Sequence, residues 1–484
     1  MSGSPRRAAA LALAALAAVA ADAQTRGAER VEIGLGGALV AVAAPEPGGP
    51  LFVLVRPAGG VDDARRQVTL STGGMEVEPM APAGEGPDAP RRLLRIRGDE
   101  PRVEVLAESL GGWTKALAAL DLGGGPELVA AGLGRLATLG PLARPGGNER
   151  TLLEHPGFDL RSLHPSPLSV GVERGVAAAE VGALRLWRPA AAGGLELAAD
   201  LGLPFTVERR AAGLRLAGPP VFELARDAAG RRRFAVGPEA RGAARLRVLL
   251  VEEGANGGWT TTECWTALPA PESVEASWIV DGDDGPLLVV RSQGALEINA
   301  FESQLWRLYR LGPDRTRAGR PPALALAVDS KRWHDSEAHV ADADGDGRAD
   351  LLLARPEGLT GSDLVVERYA GLGGGRFDRR SRRTDLDDAP RSFRWLDDVD
   401  GRGRPGLATL RGREVAVWRT AREGSRALER EPLLREPIGA DGEPEVRFEL
   451  LGAAPRAGAP PEILVLAVPE KGESRLLRLP LPAR

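Results

Sequence analysis

An all-β ring of short four-stranded sheets is the architecture the sequence predicts. Three observations carry it: helix-breaking composition, a recurring strand–acidic turn–strand unit, and two chain ends that complete one sheet between them. Gly 62 and Pro 39 make up about a fifth of the 484 residues, and both residue types disfavour helix interiors. The fraction stays short of the ~25–30% typical of a disordered chain. With 43% hydrophobic residues, there is material for a sizeable core.

The first 23 residues read as a secretory leader. Arg6 and Arg7 open it, Ala8 to Ala20 form an apolar core, and Ala21-Asp22-Ala23 fits a cleavage site. The apolar run is too short to span a bilayer, and no cysteine follows it to carry a lipid. A mature chain of residues 24–484 is therefore expected as one domain, secreted or periplasmic, without membrane insertion. Cys264 is the only cysteine. It excludes an intramolecular disulfide and reads as a small buried hydrophobe.

The repeat is clearest at Val340-Ala-Asp342-Ala-Asp344-Gly-Asp346-Gly-Arg348-Ala-Asp350-Leu. An apolar strand enters, an acidic glycine-rich loop follows, and an apolar strand leaves. A second copy centres on Asp398-Val-Asp400-Gly-Arg402-Gly-Arg404. Fainter copies surround Asp121, Asp227 and Asp281, with weaker ones near Glu46, before Leu184 and before Ile463. The first apolar residue after each loop falls at 51, 128, 184, 234, 287, 351, 407 and 463. Six of the seven spacings lie between 50 and 64 residues. Each has room for four short strands, as in a β-propeller blade.

After Leu351 the strands read as Asp350–Ala354 and Asp363–Tyr369, a turn at Gly371–Phe377, and Phe393–Leu396. Ser474–Leu479 is expected as the third strand of the last blade and Val31–Leu35 as its fourth. The expectation is an all-β propeller of eight blades, or seven if one faint anchor is spurious, closed by the N-terminal strand. The repeats are best formed over 335–470.

Charge is nearly balanced, with 63 basic and 67 acidic residues and an isoelectric point near 5.9. A nucleic-acid binder shows a basic patch and a high isoelectric point, so that class is set aside. Lysine occurs only at 115, 331 and 471, and the many arginines are scattered.

The segment Asp342-x-Asp344-Gly-Asp346-Gly-x-x-Asp350-Leu, followed by Gly373-x-Gly375-x-Phe377, resembles the FG-GAP and VCBS repeats of integrin-α-like β-propellers. The resemblance is specific over about residues 335–410 and only suggestive elsewhere. It implies a loop between two strands of a blade that binds Ca²⁺. It also implies an exported protein of interaction, adhesion or carbohydrate-associated type.

The residues agree with that chemistry. Ca²⁺ takes six to eight oxygens, and carboxylates at 342, 344 and 346 converge if the chain curls. Gly345 and Gly347 allow positive φ, the Arg348 carbonyl supplies a backbone oxygen, and Asp350 closes the set. The loop is not an EF-hand, since Leu353 stands where the twelfth-position Glu belongs. At Asp398 and Asp400, Arg402 brings a cation into the loop, so a plain structural turn is favoured there.

Catalytic signatures are sparse. The cluster Trp333-His334-Asp335-Ser-Glu337-Ala-His339 mixes ligand types, but His334 and His339 fall on opposite strand faces, and a polar loop is the favoured reading. His155 and His164 each precede proline. No nucleophile elbow, P-loop or zinc spacing occurs. Nine tryptophans fit gaps between blades better than a sugar-binding face. The expected function is a monomeric, calcium-binding, non-catalytic module for a protein or polysaccharide partner. A polysaccharide lyase or glycosidase on the same scaffold is the alternative.

Overall fold

A computed structural model describes residues 30–482 apart from short stretches, the longest being 58–65, 80–89, 155–167, 294–302, 312–323, 330–335 and 440–445. The leader expected at 1–23 lies outside the described residues, as do His155, His164, Trp333, His334 and Asp335.

The chain forms an eight-bladed β-propeller with no helix among the described residues. Blade 1 holds Gly37–Ala44, Leu51–Pro57, Arg91–Ile96 and Val103–Leu110, and blade 2 holds Ala116–Asp121, Pro126–Gly132, Arg135–Pro141 and Arg150–Glu154. Blade 3 has Val176–Glu180, Ala183–Pro189 and Leu195–Gly202. Blade 4 is built from Val221–Leu224, Arg233–Ala240, Arg245–Glu253 and Trp259–Ala267. Blade 5 is built from Ser273–Gly282, Gly285–Gln293, Ser303–Arg310 and Leu324–Asp329. Blade 6 comprises Glu337–Ala341, Asp350–Glu357, Asp363–Gly373 and Arg376–Leu386. Blade 7 comprises Ser392–Leu396, Gly406–Arg411, Glu414–Arg419 and Leu434–Pro437. Blade 8 takes Val446–Arg456, Ala459–Pro469 and Arg475–Pro480, and Val31–Gly34 adds its fourth strand, antiparallel in the register Val31↔Arg478 to Gly34↔Arg475.

All eight sequence anchors mark the second strand of a blade. Those strands are nearly continuous apolar runs because both faces are covered. Along blade 6, Leu351 and Leu353 pack with Leu287 and Trp306 of blade 5. Leu352 and Ala354 pack with Trp395 and Leu407 of blade 7. Alternate residues thus enter alternate interfaces. Eight apolar clusters, one for each neighbouring pair of blades, close the ring. This settles eight blades rather than seven.

Four features differ from the expected plan. The outer strand Arg376–Leu386 replaces what reads as a turn and loop. Its burial is irregular and its sequence, RFDRRSRRTDL, is mostly polar, because only an outer strand's inward residues need be apolar. Blade 3 has three described strands rather than four. Its edge, Leu195–Gly202, carries Glu196 paired with Arg188 and Asp200 paired with Arg185, charges of the kind that blunt a free edge. Arg66–Ser71 with Gly74–Pro79, and Arg209–Ala211 with Leu214–Leu216, form two separate hairpins. The first accounts for the long interval between anchors 51 and 128.

The fourth difference lies in the channel. First strands of neighbouring blades approach one another and so surround the axis. Leu168–Val170 pairs in parallel with the free inner edge of Gly37–Ala44. After a bend at Gly171 (φ 85°), Val172–Glu173 pairs in parallel with Ala116–Asp121. One extended segment therefore lies in the channel and covers the inner edges of blades 1 and 2.

Candidate functional site

The acidic loop joins Glu337–Ala341 to Asp350–Glu357, on the face where every blade turns from its first strand to its second. Its fold is written by its own carboxylates. Asp342 accepts the Gly345 amide at 2.7 Å on Oδ1 and the Gly347 amide at 2.9 Å on Oδ2. Asp344 accepts the Asp346 amide, and Asp346 accepts the Arg348 amide at 2.8 Å. Gly345 and Gly347 both sit at φ 82°, a region that costs other residues strain. One oxygen each from Asp342, Asp344 and Asp346 lies within 4.8 Å of the others.

Asp350 is separate from this trio and buried, at 1% exposure. Its Oδ1 accepts the Gly371 amide at 2.7 Å, while Oδ2 has no hydrogen-bond partner. Burial pushes its carboxyl up to about 6, against the pull of the Gly371 amide and Arg368. A cluster of carboxylate oxygens with one buried, unsatisfied oxygen at its base suits a hard cation. Among the described residues, Asp342, Asp344 and Asp346 are the group whose oxygens lie close enough together to hold a metal ion. A cation held there would offset the mutual repulsion of these carboxylates.

Arg368, in the third strand of blade 6, was not singled out by the sequence. Its side chain is fully buried and its Nη2 stands 3.1 Å from Asp344 Oδ2, with Nε 3.7 Å from Asp350 Oδ2. Nη1 donates to the Ala421 carbonyl of the blade 7 side at 2.6 Å. Burial lowers the guanidinium's pKa, and Asp350 and Asp344 act to restore it. The site thus contains a resident cation beneath its carboxylates. The one signal in the sequence is a charged pair, Glu367-Arg368, set between Leu364-Val-Val366 and Tyr369 in a strand that should be buried.

Thr420 extends the support. Its hydroxyl oxygen lies 2.9 and 3.1 Å from the carbonyl oxygens of Ala343 and Pro405, which share its single proton, and so links the two best acidic loops across the blade 6–7 interface.

The second loop behaves as a turn. Asp398 Oδ1 accepts the amides of Asp400, Gly401 and Arg402, and Asp400 accepts the Arg402 amide. The Arg402 side chain is exposed and makes no ion pair with either aspartate. The same use of aspartate recurs at Asp121, which accepts the Gly123 amide, and at Asp227, which accepts those of Ala229 and Arg231. What these blades share is an aspartate that satisfies turn amides.

Beside this loop, a cleft of about 610 Å³ opens at the channel mouth between blades 7, 8 and 1. Inner-strand residues Arg394–Leu396 and Leu451–Ala453 wall it, with the channel segment's Leu168 and Val170 opposite and Arg402 and Arg456 at its loops. Leu451 sits at a bulge. At Gly452 (φ 141°) a Cβ would lie 3.1 Å from Leu168 Cδ2, so the close approach requires glycine. His339 stacks on Trp395 with centroids 6.1 Å apart, and its Nε2 is 3.4 Å from Asp397 Oδ1. Burial holds the His339 imidazole below its ordinary value, against the pull of Asp397.

The described tryptophan side chains fill gaps between blades. Trp187, Trp306, Trp395 and Trp418 are buried, and Trp113 and Trp259 pack against interface clusters. Cys264 is buried between blades 4 and 5.

No known family profile matches this sequence, and no curated protein matches it either. Similarity to solved structures is confined to the fold. The Dos1 propeller aligns over 93% of this chain and 95% of its own, at 10% identity and a TM-score of 0.47. The WD40 domain of SCAP from fission yeast aligns over 93% and 97%, at 9% identity and a TM-score of 0.40. A candidate 6-phosphogluconolactonase from Bacteroides uniformis aligns over 72% and 92%, at 13% identity and a TM-score of 0.37. No function passes to this chain at such distances.

Proposed function

We propose that this chain is an exported, monomeric, calcium-binding β-propeller of FG-GAP/VCBS type that acts as a non-catalytic interaction module for a protein or polysaccharide. The observation that carries the binding role is the channel-mouth cleft. It is walled by three blades and lies on the loop-bearing face. Arg402 and Arg456 line it, and neither has a side-chain partner among the described residues. Concave, mixed-polarity sites of this size are the usual seat of recognition. The calcium role rests on the oxygen donors of Asp342, Asp344, Asp346, Arg348 and Asp350 and on the unsatisfied Asp350 Oδ2.

The test is incubation of the mature protein with acidic and neutral polysaccharides and with surface-protein fractions. Retention is read by affinity electrophoresis and biosensor, and chain cleavage by new reducing or unsaturated ends. Retention without cleavage is the expected result. Cleavage of any polysaccharide would replace this reading with an enzyme.

A further inference from the structure

A cavity of about 120 Å³ lies beside the channel where blades 2, 3 and 4 meet. Strand alternation builds its first wall. On the inner strand of blade 2, Leu117 and Ala119 enter the interface with blade 1, while Ala116 and Ala118 face blade 3. Across the ladder, Ala131 pairs with Ala116 and Val129 with Ala118. The four side chains therefore share one face, and all four residues line the cavity. Val176 and Ala177, at the start of the inner strand of blade 3, and Phe234 of blade 4 form the other walls. The cavity thus touches three successive blades rather than one interface.

The route of the chain leaves this space. The channel segment ends its ladder with Glu173 beside Leu120, and three residues later Val176 opens blade 3. Gly175 makes that step at φ 144°, where a Cβ would lie 2.6 Å from the Trp187 carbonyl oxygen. Glu173 and Gly175 form the channel side of the cavity. The interface between blades 6 and 7 is filled differently. There Leu352 packs with Phe393, Trp395 and Trp418. Between blades 2 and 3, Ala116, Ala118 and Ala131 keep 8%, 7% and 6% of their surface open inside the ring. Protein interiors pack as densely as organic crystals, so a void of this size is uncommon.

Its chemistry narrows the occupant. Glu173 is the one charged residue among the described lining, and the rest are alanine, valine, leucine, glycine and phenylalanine. Such walls offer water too few hydrogen bonds to hold it. An ionised ligand would lose its hydration without gaining a partner. An apolar cavity of about 150 Å³ lined by Leu, Ile and Phe stays dry and takes benzene or xenon, and this one is only slightly smaller.

We propose that the cavity between blades 2, 3 and 4 binds a small uncharged hydrocarbon about the size of benzene. The Phe234 ring gives it an aromatic contact. Once bound, the ligand ties blade 3, which has three described strands, to its neighbours on both sides. The site goes beyond the interaction-module reading. It uses no residue of the cleft between blades 7, 8 and 1 and needs no metal.

The test uses the mature protein with fluorobenzene as the probe, followed by fluorine NMR and titration calorimetry. Saturable binding at one site per chain is the expected result. Probe at ~10–100 times its dissociation constant should raise Tm by about 1–3 °C. Benzoate, charged at neutral pH, should not bind. Ala118→Leu fills the cavity and should weaken the probe roughly tenfold or more, while Tm without probe holds or rises. Ala131→Val is the milder filling change, with less risk of overpacking, and should weaken the probe in the same direction.

Absence of saturable binding would overturn the proposal. So would fluorobenzene binding that neither filling variant weakens, or benzoate binding as tight as that of fluorobenzene. None of these results touches retention of a partner at the cleft, so failure here leaves the interaction-module reading in place.

Discussion

Replacing Arg368 by methionine removes the cation beneath the acidic loop and keeps most of the buried stem. Asp350, at 1% exposure, and Asp344 then lose their guanidinium, and the Ala421 carbonyl loses its donor. Breaking a buried ion pair from one side costs roughly 3–5 kcal/mol. At ~2.1 cal/mol/K of unfolding entropy per residue, a propeller of this length has about 1 kcal/mol/K. Arg368→Met should therefore lower Tm by about 3–5 °C in chelator. On the proposed reading, Ca²⁺ would supply the missing positive charge. An ion at ~100 times its dissociation constant contributes ~2.7 kcal/mol, so excess Ca²⁺ should return about half of the loss or more. Arg368→Lys keeps the charge without the fork and should fall between. Differential scanning calorimetry of the three proteins, in chelator and in millimolar Ca²⁺, reads this directly. If Arg368→Met melts in chelator where the wild type does, the guanidinium is not the loop's counter-charge and the reasoning fails.

Three further outcomes are expected. Titration calorimetry should show one Ca²⁺ per chain, absent in Asp344→Ala/Asp346→Ala, and chelator should lower the wild-type Tm but not the variant's. Gly371→Ala would place a Cβ 2.3 Å from the Ala349 carbonyl oxygen. Overpacking of this kind costs roughly 1–3 kcal/mol, which the same melts would detect. Burial depresses the folded-state pKa of His339, so below about 6.5 the unfolded chain binds more protons than the folded one. Stability from this group is full above that pH and declines as pH falls below it. His339→Phe should flatten that part of the stability–pH profile, and an unchanged slope would place the titration elsewhere.

The ring was legible because its strongest signals are compositional. Runs such as Leu51-Phe-Val-Leu-Val55 and Ile463-Leu-Val-Leu-Ala467 are apolar on both strand faces, and only strands held between two blades need that. The loops before them announce themselves through Asp and Gly. Outer strands were harder to see. Arg376–Leu386 is solvated along much of its length, so its sequence resembles a loop. The channel strand escaped notice because Leu168-Ser-Val170 is three residues long and its pairing is wholly tertiary. Arg368 escaped for another reason. One arginine among many becomes special only through its distances to Asp344 and Asp350. The acidic loops carry a mixed message: the aspartates of the blade 6 loop read as metal ligands, yet there, as in blades 2, 4 and 7, aspartates hold turn amides. Among the described residues, only the blade 6 loop adds an unsatisfied buried carboxylate oxygen, Asp350 Oδ2.

The pairing of Val31–Gly34 with Arg475–Pro480 has a consequence in time as well as space. The ion pair between Arg475 and Glu32 joins residues 443 positions apart, and Ile33 and Leu35 seal the interface between blades 8 and 1. Synthesis proceeds from the N-terminus, so this first strand waits unpaired until the final strand has been made. Seven blades can stack in sequence from local hairpins, each step requiring only short loop closure. Closure of the circle is the one step that demands both ends at once. Until then the apolar faces of blades 1 and 8 and the strand edges beside them are open to wrong partners. A nascent chain that must cross a membrane before it folds would benefit from this order, since no finished ring can form ahead of its last residues.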